Sequence, residues 1–383
     1  MLRRAGRVRK LARAAAPFAV VSVLVATGVW PLPGRSRATA ADPGELVARG
    51  AVLFATTFTP ARGLGPLFNH TGCVGCHVAP TLGGMGPDGL GTATRVGQLT
   101  AAGFDPLLGY GGPVARTRSV AELGLPCDLA PGIPPVANIT SVRNAPGLYG
   151  SGLIDRIPDA AILAGAVPRS DGIHGRAHRV RGPDGQEHIG RFGWKADTAS
   201  LRQFVADAFR NELGITSPLA PADILVIRPS GRPPCAGESA GIEDDGSIVE
   251  AVTAFLAALP PPTVGTSAPR GALLFAGVGC AACHTLSLPV GDLQVPLYSD
   301  LLLHDVGSDL DDKVVQGQAG GRDWRTTPLW GLRARPRLLH DGRARTVLDA
   351  VLAHGGEAEP VLRRFRQLTP EDRGALLAFL AQL

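Results

Sequence analysis

Aromatic residues make up only 5% of this 383-residue chain, and methionine occurs twice, as Met1 and Met85. Lysine is scarcer than arginine: of 38 basic residues, three are lysine (Lys10, Lys195 and Lys313). So few aromatics argue against a large sheet. With Gly 50 and Pro 33, the balance suits short helices tied by long ordered loops, with a bound apolar cofactor supplying core volume that the side chains do not. At this length the chain can bury a sizeable core and is expected to form two domains. An apolar run of the roughly 20 residues needed to cross a bilayer is also missing.

Residues 1–40 read as a secretory signal. Arg3, Arg4, Arg7, Arg9, Lys10 and Arg13 form a positive head, PFAVVSVLVATGVW is the apolar stretch, and Ala38-Thr39-Ala40 offers a cleavage point. These residues hold eight of the 38 basic residues and no acids. The rest therefore carries 30 basic against 33 acidic residues, a net charge of −3. The pI of ≈ 9.1 belongs largely to the leader, and nothing beyond it points to nucleic acid. A periplasmic chain with no stable membrane span after cleavage is expected.

Six cysteines sort into two classes. Cys127 and Cys235 are an even pair in an oxidising compartment, for which a disulfide is the simplest use. It would close a loop of about 100 residues, worth up to about 4.7 kcal/mol in the chain-entropy model. The other four lie in TGCVGCH (Cys73, Cys76, His77) and VGCAACH (Cys280, Cys283, His284). C-x-x-C-H is the attachment signal of c-type haem: two thioethers grip the porphyrin and the adjacent histidine ligates iron. Zinc would need a second matched ligand pair nearby, and a redox dithiol has no need of the histidine. Two covalent haem c groups are the expected cofactors, with calcium at the domain interface left open.

The copies extend beyond the motif. Arg49-Gly-Ala-Val-Leu-Phe-Ala matches Arg270-Gly-Ala-Leu-Leu-Phe-Ala, and each begins an amphipathic helix, after Asp42-Pro43-Gly44-Glu45 and Ser267-Ala268-Pro269 respectively. AVTAFLAALPPP (251–262) parallels GALLAFLAQL (374–383), the latter opened by Thr369-Pro370-Glu371. The expected fold is mainly α, as two cytochrome c-like domains that each wrap a covalent haem, with long ordered loops. Residues 41–262 form the first, with an insertion at about 166–245. Residues 263–383 form the second, joined through the proline-rich 259–269. Aligning GSGLIDRIPDAAILAG (150–165) with HDGRARTVLDAVLAHG (340–355) sets His354 against Ala164. The second haem is then expected to be six-coordinate through His284 and His354, and the first, on His77, open to a small oxidant. Met85 follows His77 by eight residues, close for reaching the opposite face.

SVRNAPGLYGSGLI, GRFGWKADTASLRQFVADAFRNELGITSP, YSDLLLHDVG, WRTTPLWGL, LLHDGRA and HGGEA resemble the di-haem oxidoreductases, relatives of bacterial di-haem cytochrome c peroxidases and of the enzyme that matures tryptophan-derived quinone cofactors. The resemblance implies a periplasmic two-domain cytochrome fold and peroxide-linked redox chemistry. It also implies that Trp194 relays electrons between haems, a buried structural tryptophan being the alternative. In the peroxidase relatives the element that holds His354 here ligates the electron-transfer haem. This chain departs from them in having no histidine about twenty residues past His77.

Within the insertion, Asp197 is expected to cap a helix of about 15 residues ending at Leu213-Gly214, with Leu201, Phe204, Val205, Ala208 and Phe209 as its apolar stripe. Lys195 is read either as a propionate partner or as exposed. An open haem also wants an acid or base over it. The candidates are Glu187, His188, His174 and His178 in a polar loop, and His304, which Asp305 would orient. Arg325, Trp330, His340 and Arg343 are expected to line the second haem, and His70 either packs on a haem edge or is exposed. An enzyme reducing hydrogen peroxide leads, drawing on a small cytochrome, a copper protein or an oxidised substrate protein. A pure electron-transfer cytochrome and a haem-dependent oxygenase are the alternatives.

Overall fold

The computed structural model describes residues 42–86, 91–222, 235–236, 241–265 and 267–383, so the expected leader lies outside them. The α-helices described are α1 (Pro43–Phe54), α2 (Ser151–Asp155), α3 (Asp159–Leu163), α4 (Leu201–Ala208), α5 (Ser247–Ala258), α6 (Pro269–Val278), α7 (Val347–Leu352), α8 (Glu359–Arg366) and α9 (Pro370–Leu380). None is long and apolar enough to cross a membrane.

Two helix pairs carry the duplication: α1 packs on α5, and α6 on α9. Both crossings run through the glycine of the Arg-Gly-Ala repeat. A Cβ built on Gly50 would lie 1.9 Å from the Ala251 carbonyl oxygen, and one on Gly271 would lie 2.2 Å from that of Ala375. Only hydrogen fits where the backbones come this close. The preceding arginines are matched too. Arg49 Nη2 donates to Ser247 Oγ at 3.1 Å in the first turn of α5, and Arg270 Nε donates to Asp372 Oδ1 at 2.9 Å in the first turn of α9.

Local signals account for the helix ends. Asp42 accepts from the Gly44 amide at 3.0 Å, with Pro43 in the first turn of α1, and Thr369 accepts from Asp372 N at 3.2 Å at the start of α9. α6 instead starts at Ala268 with no side-chain cap, Pro269 alone fixing its entry. In the insertion the cap of α4 is Ser200, whose hydroxyl accepts from Gln203 N. Asp197, expected there, is bonded instead to Gln316 and faces Arg95. The helix runs on through a π-helical turn (Phe209–Leu213) and stops at Gly214, φ 68°.

Helix covers 32% of the described residues, so the mainly helical expectation describes the paired helices better than the whole. Frequent proline and glycine cut the helices short, and short antiparallel strands fill part of the remainder. The strand Thr92–Thr100 pairs with Gly103–Asp105, Val114–Ala115 and Ile139–Asn144, in a register from Thr92↔Asn144 to Gly97↔Ile139. A second pair joins Leu303–Asp305 to Asp323–Arg325 and sets His304 opposite Trp324.

Ala41–Leu383 forms one compact unit with a large core and a smaller one. The smaller core gathers Phe275, Leu362, Phe365, Leu376 and Phe379 around α6, α8 and α9. The larger runs from Phe54 to Leu256 but also takes in Leu288, Leu297, Leu301 and Trp330, from beyond the expected boundary at 262. Cys127 and Cys235 are joined across 108 positions.

Gly50→Ala and Gly271→Ala should each destabilise the protein by about 1–3 kcal/mol through overpacking, despite a helix-propensity gain of about 1 kcal/mol. Thermal unfolding followed by circular dichroism reads this as a Tm lowered by several degrees. A wild-type melt for either variant would mean that the crossing has slack.

Candidate functional site

Each CxxCH motif forms one tight turn. Cys73–Gly75 and Cys280–Ala282 are 3-10 turns, and the histidine amide closes each by donating to the first cysteine's carbonyl at 3.0 Å. Gly279 ends α6 in the left-handed region (φ 103°), where a Cβ would also meet Arg364 Nη2 at 2.6 Å. The phenylalanine of the repeated lead-in tilts against the motif histidine in both copies: Phe54 on His77 at 6.3 Å and Phe275 on His284 at 6.5 Å between ring centres.

Three histidines share a bonding pattern. Nδ1 of His77 lies 3.0 Å from the Gly84 carbonyl, that of His284 lies 3.0 Å from the Tyr298 carbonyl, and that of His354 lies 2.7 Å from the Ala350 carbonyl. A carbonyl can only accept, so each Nδ1 carries the proton and each Nε2 keeps a lone pair for a metal. His284 and His354 line one cavity with Cys280 and Cys283. Burial, followed by the neighbouring His354, holds His284 down to about 4. Burial also lowers His77 and His354. Ala164, the counterpart of His354 in the first copy, is exposed at the end of α3.

Apolar side chains including Phe275, Leu332, Leu338, Val351, Leu362 and Phe365 wall this cavity, and Arg325, Arg335 and His340 reach it. One orphaned atom tests whether the donor set fits a haem. Arg325 Nη1 is buried and lacks a hydrogen-bond partner among the described residues. Burial holds Arg325 down to about 10, with the Arg335 charge adding to it and Asp197 opposing; burial alone does the same to Arg335. Two crowded guanidiniums beside an apolar slot fit the anionic edge of a porphyrin, and two thiols with two free Nε2 atoms fit its vinyls and iron. Among the described residues, no group of three or more His, Cys, Asp or Glu could hold a bare metal ion.

Two expected wall residues lie elsewhere. Trp330 is buried against Gly150, where a Cβ would come within 2.6 Å of its ring, and it lines a groove with Pro260, Pro261 and Pro262. Arg343 is exposed, held by Asp341 and the Asp309 carbonyl. Arg335 takes their place. Met85 sits in the loop that also offers the Gly84 carbonyl to His77, pinned to Ala79 by backbone bonds, and it lines the second cavity.

An aromatic cluster borders the second cavity. Trp194 Nε1 donates to the Asn144 carbonyl at 2.9 Å, and its ring meets Trp324 edge-on at 6.5 Å. His340 stacks on Trp324 at 3.7 Å, and Arg143 and Lys195 approach the Trp324 ring at 4.3 and 4.2 Å. Trp194, Trp324 and His340 all line the second cavity. Lys195 is fully buried, neither exposed nor set against the cavity wall. Burial pulls it down to about 8, with Asp312 opposing.

The acid–base candidates separate. Glu187 and His188 lie on the exposed hairpin Arg179–Arg181/Glu187–Ile189, paired with Arg179 and Asp184, and line neither CxxCH turn nor the haem-fitting cavity. A polar loop read without its fold gave no way to see that these residues form a hairpin open to solvent. His174 is exposed. His178 is a buried clamp, with Nδ1 to the Lys195 carbonyl and Nε2 accepting from Gln318 N. His304 is buried between Asp300 and Glu357, each 2.9 Å away, with Cys283 Sγ at 3.5 Å. Burial opposes its charge, but Asp300, Cys283 and Glu357 push it up to about 12. It therefore stands beside the second motif, not the first. His70 is half-buried against Gly75, and burial and Arg118 lower it.

Near the first motif stands a residue the sequence reading missed. The Glu212 carboxylate accepts from Asn69 Nδ2 at 2.7 Å, burial raises it, and Arg95 and Arg116 oppose that rise. It adds to the burial that pushes Cys76 up to about 12. The signal was its place in the apolar stripe, three residues after Phe209, where a carboxylate is out of keeping.

A family model described as "Di-haem oxidoreductase, putative peroxidase" matches residues 138–383, a span holding the second CxxCH motif but not the first. No curated protein matches the chain. Among solved structures it is similar to a hydrazine synthase from Kuenenia stuttgartiensis (15% identity, 96% of this chain and 100% of that one, TM-score 0.38). It is also similar to a MauG-like protein associated with microbial copper homeostasis (17% identity, 92% and 94%, TM-score 0.41) and to the di-haem peroxidase BthA from Burkholderia thailandensis (17% identity, 90% and 89%, TM-score 0.42). These likenesses are remote.

Glu187→Ala and His188→Ala should leave redox activity unchanged and stability within about 0.5 kcal/mol, as exposed substitutions do. Steady-state assay and thermal melts check this. A tenfold loss of activity in either variant would return that side chain to the site.

Proposed function

The chain belongs to the di-haem oxidoreductase family, and on that footing we propose that it is a periplasmic enzyme reducing hydrogen peroxide at its N-terminal haem, with electrons relayed from its C-terminal haem. The observation that carries this reading is the unequal supply of histidine. His284 and His354 both offer Nε2 to one cavity, whereas the first motif has His77 and an exposed Ala164 at the matching position.

Cys73 and Cys76 would hold one haem covalently, and Cys280 and Cys283 the other. His77, His284 and His354 would be the nitrogen donors, and Arg325 and Arg335 would hold the propionates of the second group. Haem supplies reversible one-electron chemistry, and an open iron face supplies a place for a small oxidant. Glu212 is our candidate for moving the peroxide proton: its buried carboxyl lies beside the first motif, with one oxygen held by Asn69. Peroxide reduction consumes two protons and two electrons per O–O bond cleaved, and a carboxyl that can take up and return a proton at Oε would serve that need. Trp194 would lie on the electron path, since it lines the second cavity and is fixed by the Asn144 carbonyl. The donor would be a small cytochrome or copper protein, or an oxidisable side chain on a partner protein.

Two variants test the assignment on the purified holoprotein. His354→Ala should convert one low-spin signal to high spin in the EPR spectrum, leave the other iron unchanged, and cut peroxide-dependent oxidation of a reduced cytochrome. Glu212→Gln should lower kcat by about 10²–10⁴-fold with both spin states intact. Two low-spin irons in the resting protein that ignore peroxide would make it an electron carrier. A stable dioxygen complex of the reduced protein would favour an oxygenase.

A further inference from the structure

The Lys195 ammonium lies in a cage of oxygens. Nζ is 2.5 Å from the Gly320 carbonyl, 3.2 Å from that of Gly321, 3.1 Å from that of Asp323, and 3.2 Å from Asp312 Oδ1. The open side is covered by the Trp324 ring at 4.2 Å, and the side chain is 0% exposed. Carbonyls with one carboxylate are the hard donor set that a bare cation takes. We propose that Lys195 is a tethered structural cation. Its ammonium fills a site built for a small monovalent ion and gathers residues 312–323 about itself, fixing Trp324 and Arg325 against the haem-fitting cavity.

The identity of the residue supports this. Three of the 38 basic residues are lysine, so where a chain dominated by arginine places a lysine in its interior, the geometry has selected it. A planar guanidinium offers a flat fork and cannot converge on four oxygens around a point, whereas a compact ammonium can. The enclosing loop is closely wound. A Cβ on Gly321 would meet Asp311 Oδ1 at 2.0 Å, and Asp312 N donates to the Gly321 carbonyl at 3.2 Å. The two ends of the arrangement are then clipped together: the Trp194 carbonyl accepts from Arg325 N at 2.9 Å, and the Gly193 carbonyl accepts from Arg325 Nε at 2.8 Å. Without the ammonium, the cage oxygens would face one another with nothing between them, which a buried site does not tolerate. Asp312 would keep Arg143 and the Val314 amide but lose the charge beside Oδ1. Lys195 is thus a positioning residue, and its role is independent of which oxidant the enzyme uses.

The test is cation rescue in the holoprotein. Lys195→Ala opens the cage and should lower Tm by about 5–10 °C, the scale of a broken buried ion pair in a chain of this size. Ammonium or potassium chloride should restore most of that loss, and choline chloride at the same ionic strength, too large to enter, should not. Lys195→Met fills the space without charge and should melt low in all three salts. Wild type should ignore the choice of salt. Equal rescue by choline, equal behaviour of the Met and Ala variants, or a wild-type melt for Lys195→Ala would each overturn the proposal. Independently of variant folding, reductive methylation of native protein should mark Lys313, whose side chain is 59% exposed, and spare Lys195 until unfolding. Modification of both at one rate would equally overturn it.

Discussion

Two backbone contacts, Gly50 on Ala251 and Gly271 on Ala375, set the geometry on which the rest of the molecule depends. At each, a helix lies on its partner with no side chain between. This fixes the rotation of α1 and α6 about their axes, and so fixes where Phe54 and Phe275 point. Each ring then rests against the histidine that follows the paired cysteines. The seven-residue lead-in that recurs in the sequence is therefore one device: arginine ties the helix to the start of its partner, glycine permits the crossing, and phenylalanine supports the motif histidine.

From this shared frame the two halves diverge. The second builds a cavity lined by two histidines, each protonated on the ring nitrogen that faces a carbonyl and so keeping a lone pair on the other. The first receives the long insertion, whose α4 and π-helical turn bring Glu212 beside Cys76. Duplication supplied two similar cradles. What was added between and after them supplies the difference.

Much of this could be read from the chain. Both CxxCH motifs, their lead-ins, the Cys127–Cys235 pairing, the end of the insertion helix at Gly214 and the placement of His354 all rest on short-range patterns or spacing that the structure also contains. What escaped depends on long-range placement. Glu187 and His188 look chemically apt, yet they ride a hairpin that turns to solvent. Trp330 and Arg343 flank the right segment of sequence but point out of the cavity, while Arg335, five residues from Trp330, reaches it. The cap of α4 moved from Asp197 to Ser200 because Asp197 is used by Gln316 instead. The role of Lys195 was invisible because its cage is made of main-chain carbonyls from a segment more than a hundred residues away.

The flanking of Trp324 has an electrical consequence. Taking an electron from an indole leaves a positive hole on the ring, and here that hole would sit about 4 Å from both a guanidinium and an ammonium. At an effective dielectric of about 20, each such charge raises the cost by about 4 kcal/mol, with Asp312 offsetting one of them. Among the described residues no cation is stacked on Trp194, which instead gives its N–H to a carbonyl whose negative end would welcome the hole. Adjacent tryptophans in edge contact would thus be unequal in energy, Trp194 giving up an electron more readily than Trp324.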